Sequence, residues 1–292
     1  MSNSRTLGPS VMGTLLCQNG AGVAEAYCQH LYQRIAEQGQ ISPELATLWG
    51  APALAGNAYW ILENSNGEPW LRILEDPTCT APEPLMQTGW LSLEVSVQDI
   101  DSLAAELADS PFKVLRPAAD LELSDNIRAA QVAGPAGEIL YLTEIKGPVP
   151  PFELTPAQCR VDRLFIPVLC CHDREASTEF YEQLASQTGL RFDTKITVIN
   201  QAYGYDIQRQ HPVATIQLNG DCLIEIDQID DARITTVAQD TLPAGIAMIS
   251  FETPHTAAGP NIDIAPYNNR VVSCMRGPAG EVIELITTPT SV

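Results

Sequence analysis

Two glutamates sit where a charge is costly. Glu225 lies in Leu223-Ile224-Glu225-Ile226, and Glu284 lies in Ile283-Glu284-Leu285. A carboxylate flanked by apolar residues on a half-buried strand must be paired, protonated or bound to a metal, because an isolated charge out of water is expensive. Both read as candidate site residues, as metal ligands or as general bases. Two neighbouring carboxylates push one pKa up, which supplies a base near neutrality without a metal. The opposing reading puts one or both in solvent beyond a sheet edge. The four histidines add no cluster. His30 sits in a helix, His172 beside a helix start, His211 before Pro212 and His255 before an irregular loop. Each reads as a surface or capping residue.

The elements that would position these glutamates repeat along the chain. Gly134-Pro135-Ala136-Gly137-Glu138-Ile139-Leu140-Tyr141-Leu142 returns 143 residues later as Gly277-Pro278-Ala279-Gly280-Glu281-Val282-Ile283-Glu284-Leu285. Five identical residues followed by matching apolar positions indicate duplication. In each copy Gly-Pro presets a turn and the second glycine frees the backbone to enter a strand. Between the halves, Lys146-Gly147-Pro148-Val149-Pro150-Pro151-Phe152 cannot continue a helix or a central strand. This predicts a domain over 1–145, a Pro-rich linker over 146–158 and a second domain over 159–292.

Each half divides again. Val161 to Cys171 reads as a buried strand, Asp173 as an N-cap and Ala176 to Leu184 as a helix with Phe180 and Tyr181 inward. Strands are predicted at 195–202, 213–218 and 222–226, the last two joined by an Asn219-Gly220 hairpin. The first unit carries a strand at 11–17, a helix at 22–35, a loop around Pro43, and strands at 59–63 and 70–74 joined by Asn66-Gly67. The second carries a strand at 90–97, a helix at 99–108 and strands at 112–115, 127–132 and 138–145. The fourth runs from 246–251 to 281–287, with a middle at 255–270 too rich in Pro, Gly and Asn for a normal helix. The count is four βαβββ units, an α+β chain.

The tandem units, the helix start Asp173-Arg174-Glu175-Ala176-Ser177-Thr178-Glu179-Phe180-Tyr181, and the two Gly-Pro-Ala-Gly turns resemble the vicinal oxygen chelate superfamily. That group includes glyoxalase I, bleomycin-resistance proteins and extradiol dioxygenases. The resemblance covers nearly the whole chain. It implies two curved mixed-sheet bowls, each made by two units, with an active site on the concave face. It leaves open whether units pair in chain order or by exchange across the halves. It also implies a divalent metal held by His, Gln or Glu from the first and last strands of each unit, with an open position for substrate oxygens.

On that pattern the last strands present Arg72, Tyr141, Glu225 and Glu284, and the first strands present about Ser92, Ile166 and Met248. None of the latter suits a catalytic iron, zinc or nickel ion, and the Met248 thioether is soft for hard cations. The metal set is therefore incomplete and no cofactor is assigned. Glu284 and Glu225 are the expected catalytic or metal-binding residues, side by side in a C-terminal bowl. Met248, Ile166, Tyr141 and Arg72 are the expected substrate contacts. Arg72 could hold an anion by a bidentate contact, or stand solvated on its strand. Three functions compete: an enzyme acting on a small oxygenated or aromatic substrate in the C-terminal bowl; a metal-free binding protein like the bleomycin-resistance branch; and a structural protein that kept the fold and lost the site. The 6% aromatic content speaks against an aromatic sequestering cleft.

The remaining features mostly exclude. Among 292 residues the formal net charge is −20, which disfavours nucleic acid and anionic membranes as partners. A small-molecule ligand is the expected partner, and the oligomeric state is not readable. No apolar run of about 18 residues predicts a membrane helix, and the first residues lack a secretory pattern. Eight cysteines without a CxxC pair read as reduced, apolar core residues of a cytoplasmic protein. There is no Gly-rich dinucleotide or phosphate loop, no HExxH and no nucleophile elbow. Asp227 to Asp231 does not match a calcium loop and reads as a solvated turn. Tyr203-Gly204-Tyr205 could be a lid, or simply a flexible hairpin.

Overall fold

The computed structural model describes residues 5–121, 124–254, 259–263 and 267–288. Unit 1 comprises β1 (Ser10–Cys17), α1 (Gly20–His30), β2 (Arg34–Gln40), α2 (Pro43–Leu48), β3 (Ala58–Glu63) and β4 (Pro69–Glu75). Unit 2 comprises β5 (Gly89–Val97), α3 (Ile100–Glu106), β6 (Lys113–Leu121), β7 (Ser124–Ala133) and β8 (Ile139–Ile145). Unit 3 comprises β9 (Val161–Cys171), α4 (Arg174–Ala185), β10 (Leu190–Lys195), α5 (Thr197–Tyr203), β11 (Gln210–Gln217) and β12 (Leu223–Gln228). Unit 4 comprises β13 (Gly245–Thr253), β14 (Asn261–Ile262), β15 (Arg270–Arg276) and β16 (Val282–Thr287), with no helix among the described residues. Part of its predicted irregular middle, His255 included, lies outside them.

Three local expectations change. The helix expected over 22–35 stops at His30, and residues 34–40 form β2, an exposed edge strand. The loop at Pro43 is α2, whose N-cap Ser42 accepts a hydrogen bond from the Leu45 N–H at 3.1 Å. The strand expected at 195–202 ends at Lys195, and α5 follows it. Its β-branched Val198 and Ile199 fit a strand locally, but the fold buries them on a helix.

The strands form two eight-stranded sheets, ordered β14-β15-β16-β13-β1-β4-β3-β2 and β10-β11-β12-β9-β5-β8-β7-β6. In every unit the first strand runs parallel to the last. Units join through antiparallel first strands, β1 with β13 and β5 with β9. Pairing is thus by exchange. Units 1 and 4 build an outer bowl, units 2 and 3 build a middle bowl, and the proline-rich segment connects two units of one sheet. The bowls stand back to back. β1 is close enough to the other sheet that a side chain at Gly13 would meet the Leu93 Cδ1 methyl at 3.1 Å. One hydrophobic core fills the space between sheets and helices, and a second fills the outer bowl. Among the described residues no helix is long and apolar enough to cross a membrane.

The repeated turn ties the two sheets together. Glu138 and Glu281 are almost fully buried and occupy the same place in their turns. Each carboxylate accepts a hydrogen bond from the backbone N–H two residues earlier, Ala136 at 2.8 Å and Ala279 at 2.9 Å. Each also accepts one from a helix tyrosine of the neighbouring unit, Tyr27 at 2.7 Å and Tyr181 at 2.8 Å. Gly134 and Gly277 leave room for this, since a Cβ at either would lie 1.9 Å from the carboxylate oxygen. Burial pushes the Glu138 carboxyl up to about 7, against the hydrogen bonds from Tyr27 and the backbone, and raises Glu281 in the same way. Tyr27→Phe and Tyr181→Phe should each lower stability by about 1–3 kcal/mol in urea titrations at neutral pH, because each leaves a buried carboxylate short of a donor. Two silent substitutions would refute this role.

Candidate functional site

Both bowls present their central side chains in one register. The first and last strands of each unit pair Thr14 with Arg72, Glu94 with Tyr141, Val168 with Glu225 and Ser250 with Glu284. The last-strand residues are the four expected from sequence. The first-strand residues are displaced by two from the expected Ser92, Ile166 and Met248. A shift of two keeps the same face of the strand, so these three still face their bowls, one step along.

The outer bowl holds Arg72, Ser250 and Glu284 and is closed over them. Glu284 is fully buried and its two oxygens are saturated. Oε1 accepts from Trp49 Nε1 at 2.8 Å and from the Tyr267 hydroxyl at 2.7 Å. Oε2 accepts from Ser250 Oγ at 2.5 Å and from Arg72 Nη2 at 3.3 Å. The guanidinium also donates to Thr14 Oγ1, at 3.1 and 2.9 Å, and to the Tyr267 oxygen. It lies 4.6 Å from the Trp49 ring centroid, a cation–π contact. Burial disfavours the Arg72 charge, but Glu284 and Tyr267 outweigh it and hold its pKa above the ordinary value. Met248, Leu16, Leu45, Ile61 and Tyr267 pack the rest of the bowl. Arg72 is therefore neither a solvated strand residue nor an open anion clamp.

The middle bowl is different. Its floor carries Glu94 on β5, Tyr141 on β8, and Glu225 and Asp227 on β12, with Ile166 directly across from Glu94. Glu94 and Glu225 are only partly covered, so solvent reaches the floor. Asp227 is 1% exposed, and neither of its oxygens has a hydrogen-bond partner. The Tyr141 hydroxyl and the Ser92 and Thr215 hydroxyls are also buried without partners. Burial pushes the Glu225 carboxyl up to about 7. Burial, with repulsion from Glu225, raises Glu94 well above the ordinary carboxylate range, and Asp227 rises likewise beside both glutamates. Above the floor, α5 brings Asn200, whose Oδ1 lies 2.7 Å from His211 Nε2, and Tyr203. Tyr203 ends α5 as the helix reaches the bowl, so the Tyr203-Gly204-Tyr205 segment is not a hairpin.

Two such sheets, each made from paired βαβββ units with the first and last strands central, define one architecture. The fold is that of the vicinal oxygen chelate superfamily. Glyoxalase I from Zea mays superposes with a TM-score of 0.60 at 12% identity, over 95% of this chain and 92% of that one. A "putative dioxygenase" from Bacillus subtilis superposes with a TM-score of 0.61 at 12% identity, over 99% and 87%. No protein-family model and no curated protein matches the sequence.

The residues present do not fit the metal that the vicinal oxygen chelate fold implies. In the outer bowl the Arg72 guanidinium fills the centre, and Glu284 has no free oxygen lone-pair direction toward it. In the middle bowl Val168 stands at one of the four central places. Among the described residues no three His, Cys, Asp or Glu side chains are grouped to hold a metal ion.

The expected site is also divided. Glu284, Arg72 and Met248 share the outer bowl, while Glu225, Ile166 and Tyr141 share the middle one. Glu225 is not beside Glu284, because exchange pairing puts their strands in separate sheets. The residues that sequence reasoning missed are Thr14, Trp49, Glu94, Asp227, Ser250 and Tyr267. Glu94 carried the same signal as Glu225, a lone carboxylate in the apolar run Trp90 to Val97. Asp227 was grouped with a solvated turn, although it is the next inward residue after Glu225. Trp49 and Tyr267 come from irregular segments, where no periodicity marks the inward side.

Proposed function

We propose that this protein binds a small molecule without a metal, in the middle bowl formed by units 2 and 3. One contrast carries the reading. The outer bowl is packed and its polar groups are paired, whereas the middle bowl keeps buried polar atoms without partners. Such atoms destabilise the fold unless something completes them, and a ligand with complementary groups would do so. Partial exposure of Glu94 and Glu225 supplies a route in. The outer bowl, on this reading, is structural.

Crystals soaked with a mixed set of polar and aromatic fragments test it. Density in the middle bowl and none in the outer bowl is the expected result. Fragments seated against Glu284, or none in either bowl at millimolar concentration, would overturn it.

A second reading is proton transfer. Glu225 titrates near neutrality, where a general base works best, and the Tyr141 hydroxyl stands near it. It predicts that a bound carbon acid exchanges hydrogen for deuterium in D2O with wild-type protein and not with Glu225→Gln. Equal exchange in both would dismiss it.

A further inference from the structure

We propose that the ligand of the middle bowl is a small organic cation, with an ammonium or amidinium head group seated among Glu94, Glu225, Asp227 and the Tyr141 hydroxyl. This rests on the reading that the bowl binds a small molecule. Burial favours the neutral form of all three carboxyls in the empty bowl, and a bound cation would offset that cost by pairing with their ionised forms, which only accept hydrogen bonds and so call for a donor. Tyr141 gives an independent sign. The residue is 9% exposed, its hydroxyl has no partner, and the hydroxyl lies within electrostatic reach of all three carboxylates. A phenol oxygen can accept from an ammonium and donate to a carboxylate at once. Once the three carboxyls are ionised, the protein's own groups do not balance their charge. Arg116 of β6 is near Tyr141 and supplies one guanidinium against three carboxyls. Among the described residues, the Cys170 thiol on β9, the Tyr203 phenol on α5 and His211 on β11, whose pKa burial and Arg209 lower, add no positive charge at neutral pH. Ile166, Val168 and Tyr203 offer apolar walls for the rest of the molecule.

The charge gives the binding a pH dependence. A cation binds the ionised carboxylates, so protons leave as it enters. Glu225, at about 7, is largely protonated at pH 6 and largely ionised at pH 8. Affinity should rise about tenfold over that span for one proton released.

Isothermal titration with methylammonium, butylammonium and benzylammonium, against benzyl alcohol and benzoate as uncharged and anionic analogues, tests the proposal. At pH 8 at least one ammonium probe should bind ten or more times tighter than its analogues and release protons, as read in buffers of different ionisation enthalpy. Asp227→Asn and, separately, Tyr141→Phe should weaken it at least tenfold while keeping the wild-type far-ultraviolet dichroism. If the alcohol or benzoate binds as well as benzylammonium, the cation inference fails and the binding reading stands. If no ammonium probe binds while soaked fragments do occupy the bowl, the same holds. If nothing occupies the bowl by either method, both fail. Manganese alone, bound in a manner lost in Asp227→Asn, would replace the organic cation with a metal and overturn the proposal.

Discussion

Replacing Arg72 with methionine should destabilise the protein by about 3–5 kcal/mol, because it strands the Glu284 carboxylate in the outer bowl. The pair is 3.3 Å apart, and both side chains are almost completely out of water. Attraction at that depth offsets two desolvation costs, and losing one partner leaves the other's cost unmet. Trp49, Tyr267 and Ser250 still donate to Glu284 in the variant, but none carries a charge. The double variant Arg72→Met, Glu284→Met should recover most of the loss, since volume-matched apolar residues replace a buried pair at little cost. Urea or guanidinium titrations of wild type, both single variants and the double variant make a complete cycle. A single-variant loss under about 1 kcal/mol would show that the outer bowl admits water and is not a closed plug.

The second expectation inverts the usual pH profile. Glu94, Glu138, Glu225, Asp227 and Glu281 all have pKa values raised by burial. A carboxyl whose folded pKa lies above its unfolded value binds more protons when folded. Its contribution is therefore present in acid and lost as pH rises toward the folded pKa. Moving a carboxyl such as Glu138 from 4.5 to about 7 costs about 3 kcal/mol once it is fully ionised above pH 8. The exposed carboxylates Asp101, Asp120 and Glu175 act oppositely, because hydrogen bonds to arginines or Lys146 lower their pKa values. Their contribution fades only below about pH 4 and, at the surface, is small. Stability should therefore peak near pH 5 and fall between pH 5 and pH 8. Glu225→Gln should flatten the fall and raise stability at pH 8 by about 1–3 kcal/mol, and Asp227→Asn should act in the same direction, while both weaken ligand binding. Denaturant midpoints at pH 5, 6.5 and 8 decide this, and a maximum at pH 8 would contradict it. A residue that destabilises the free protein and is needed for binding has a reason to be there.

The units were legible because apolar periodicity and the Gly-Pro-Ala-Gly-Glu repeat are local signals, and β9 falls on Val161–Cys171 as expected. Glu225 and Glu284 were legible as anomalies for the same reason. Their partners were not. Whether β12 meets β16 depends on which units share a sheet, and no local pattern in the first strands marks their partner. The two-residue displacement from Ser92 to Glu94 and from Met248 to Ser250 has another origin. Counting back from a helix start carries over any difference in loop length, and a strand repeats its face every two residues. The burial of Arg72 was not legible, because a charged residue on a strand is usually solvated. Trp49 and Tyr267, far away in sequence, help to exclude water from it.

Exchange pairing also orders events during synthesis. β5 and β9 are separated by one unit, so the middle sheet can close as soon as unit 3 has left the ribosome. β1 cannot, for Ser10 aligns with Phe251. β1 must wait until β13 has been made, with one hydrogen-bonding edge bare and its inward residues, Met12 and Leu16, uncovered. The outer sheet is consequently the late step of folding and the one most exposed to mispairing with another nascent copy. Slow translation between residues 75 and 245 would lengthen that wait, and a chaperone that shields a single βαβββ unit would shorten its danger.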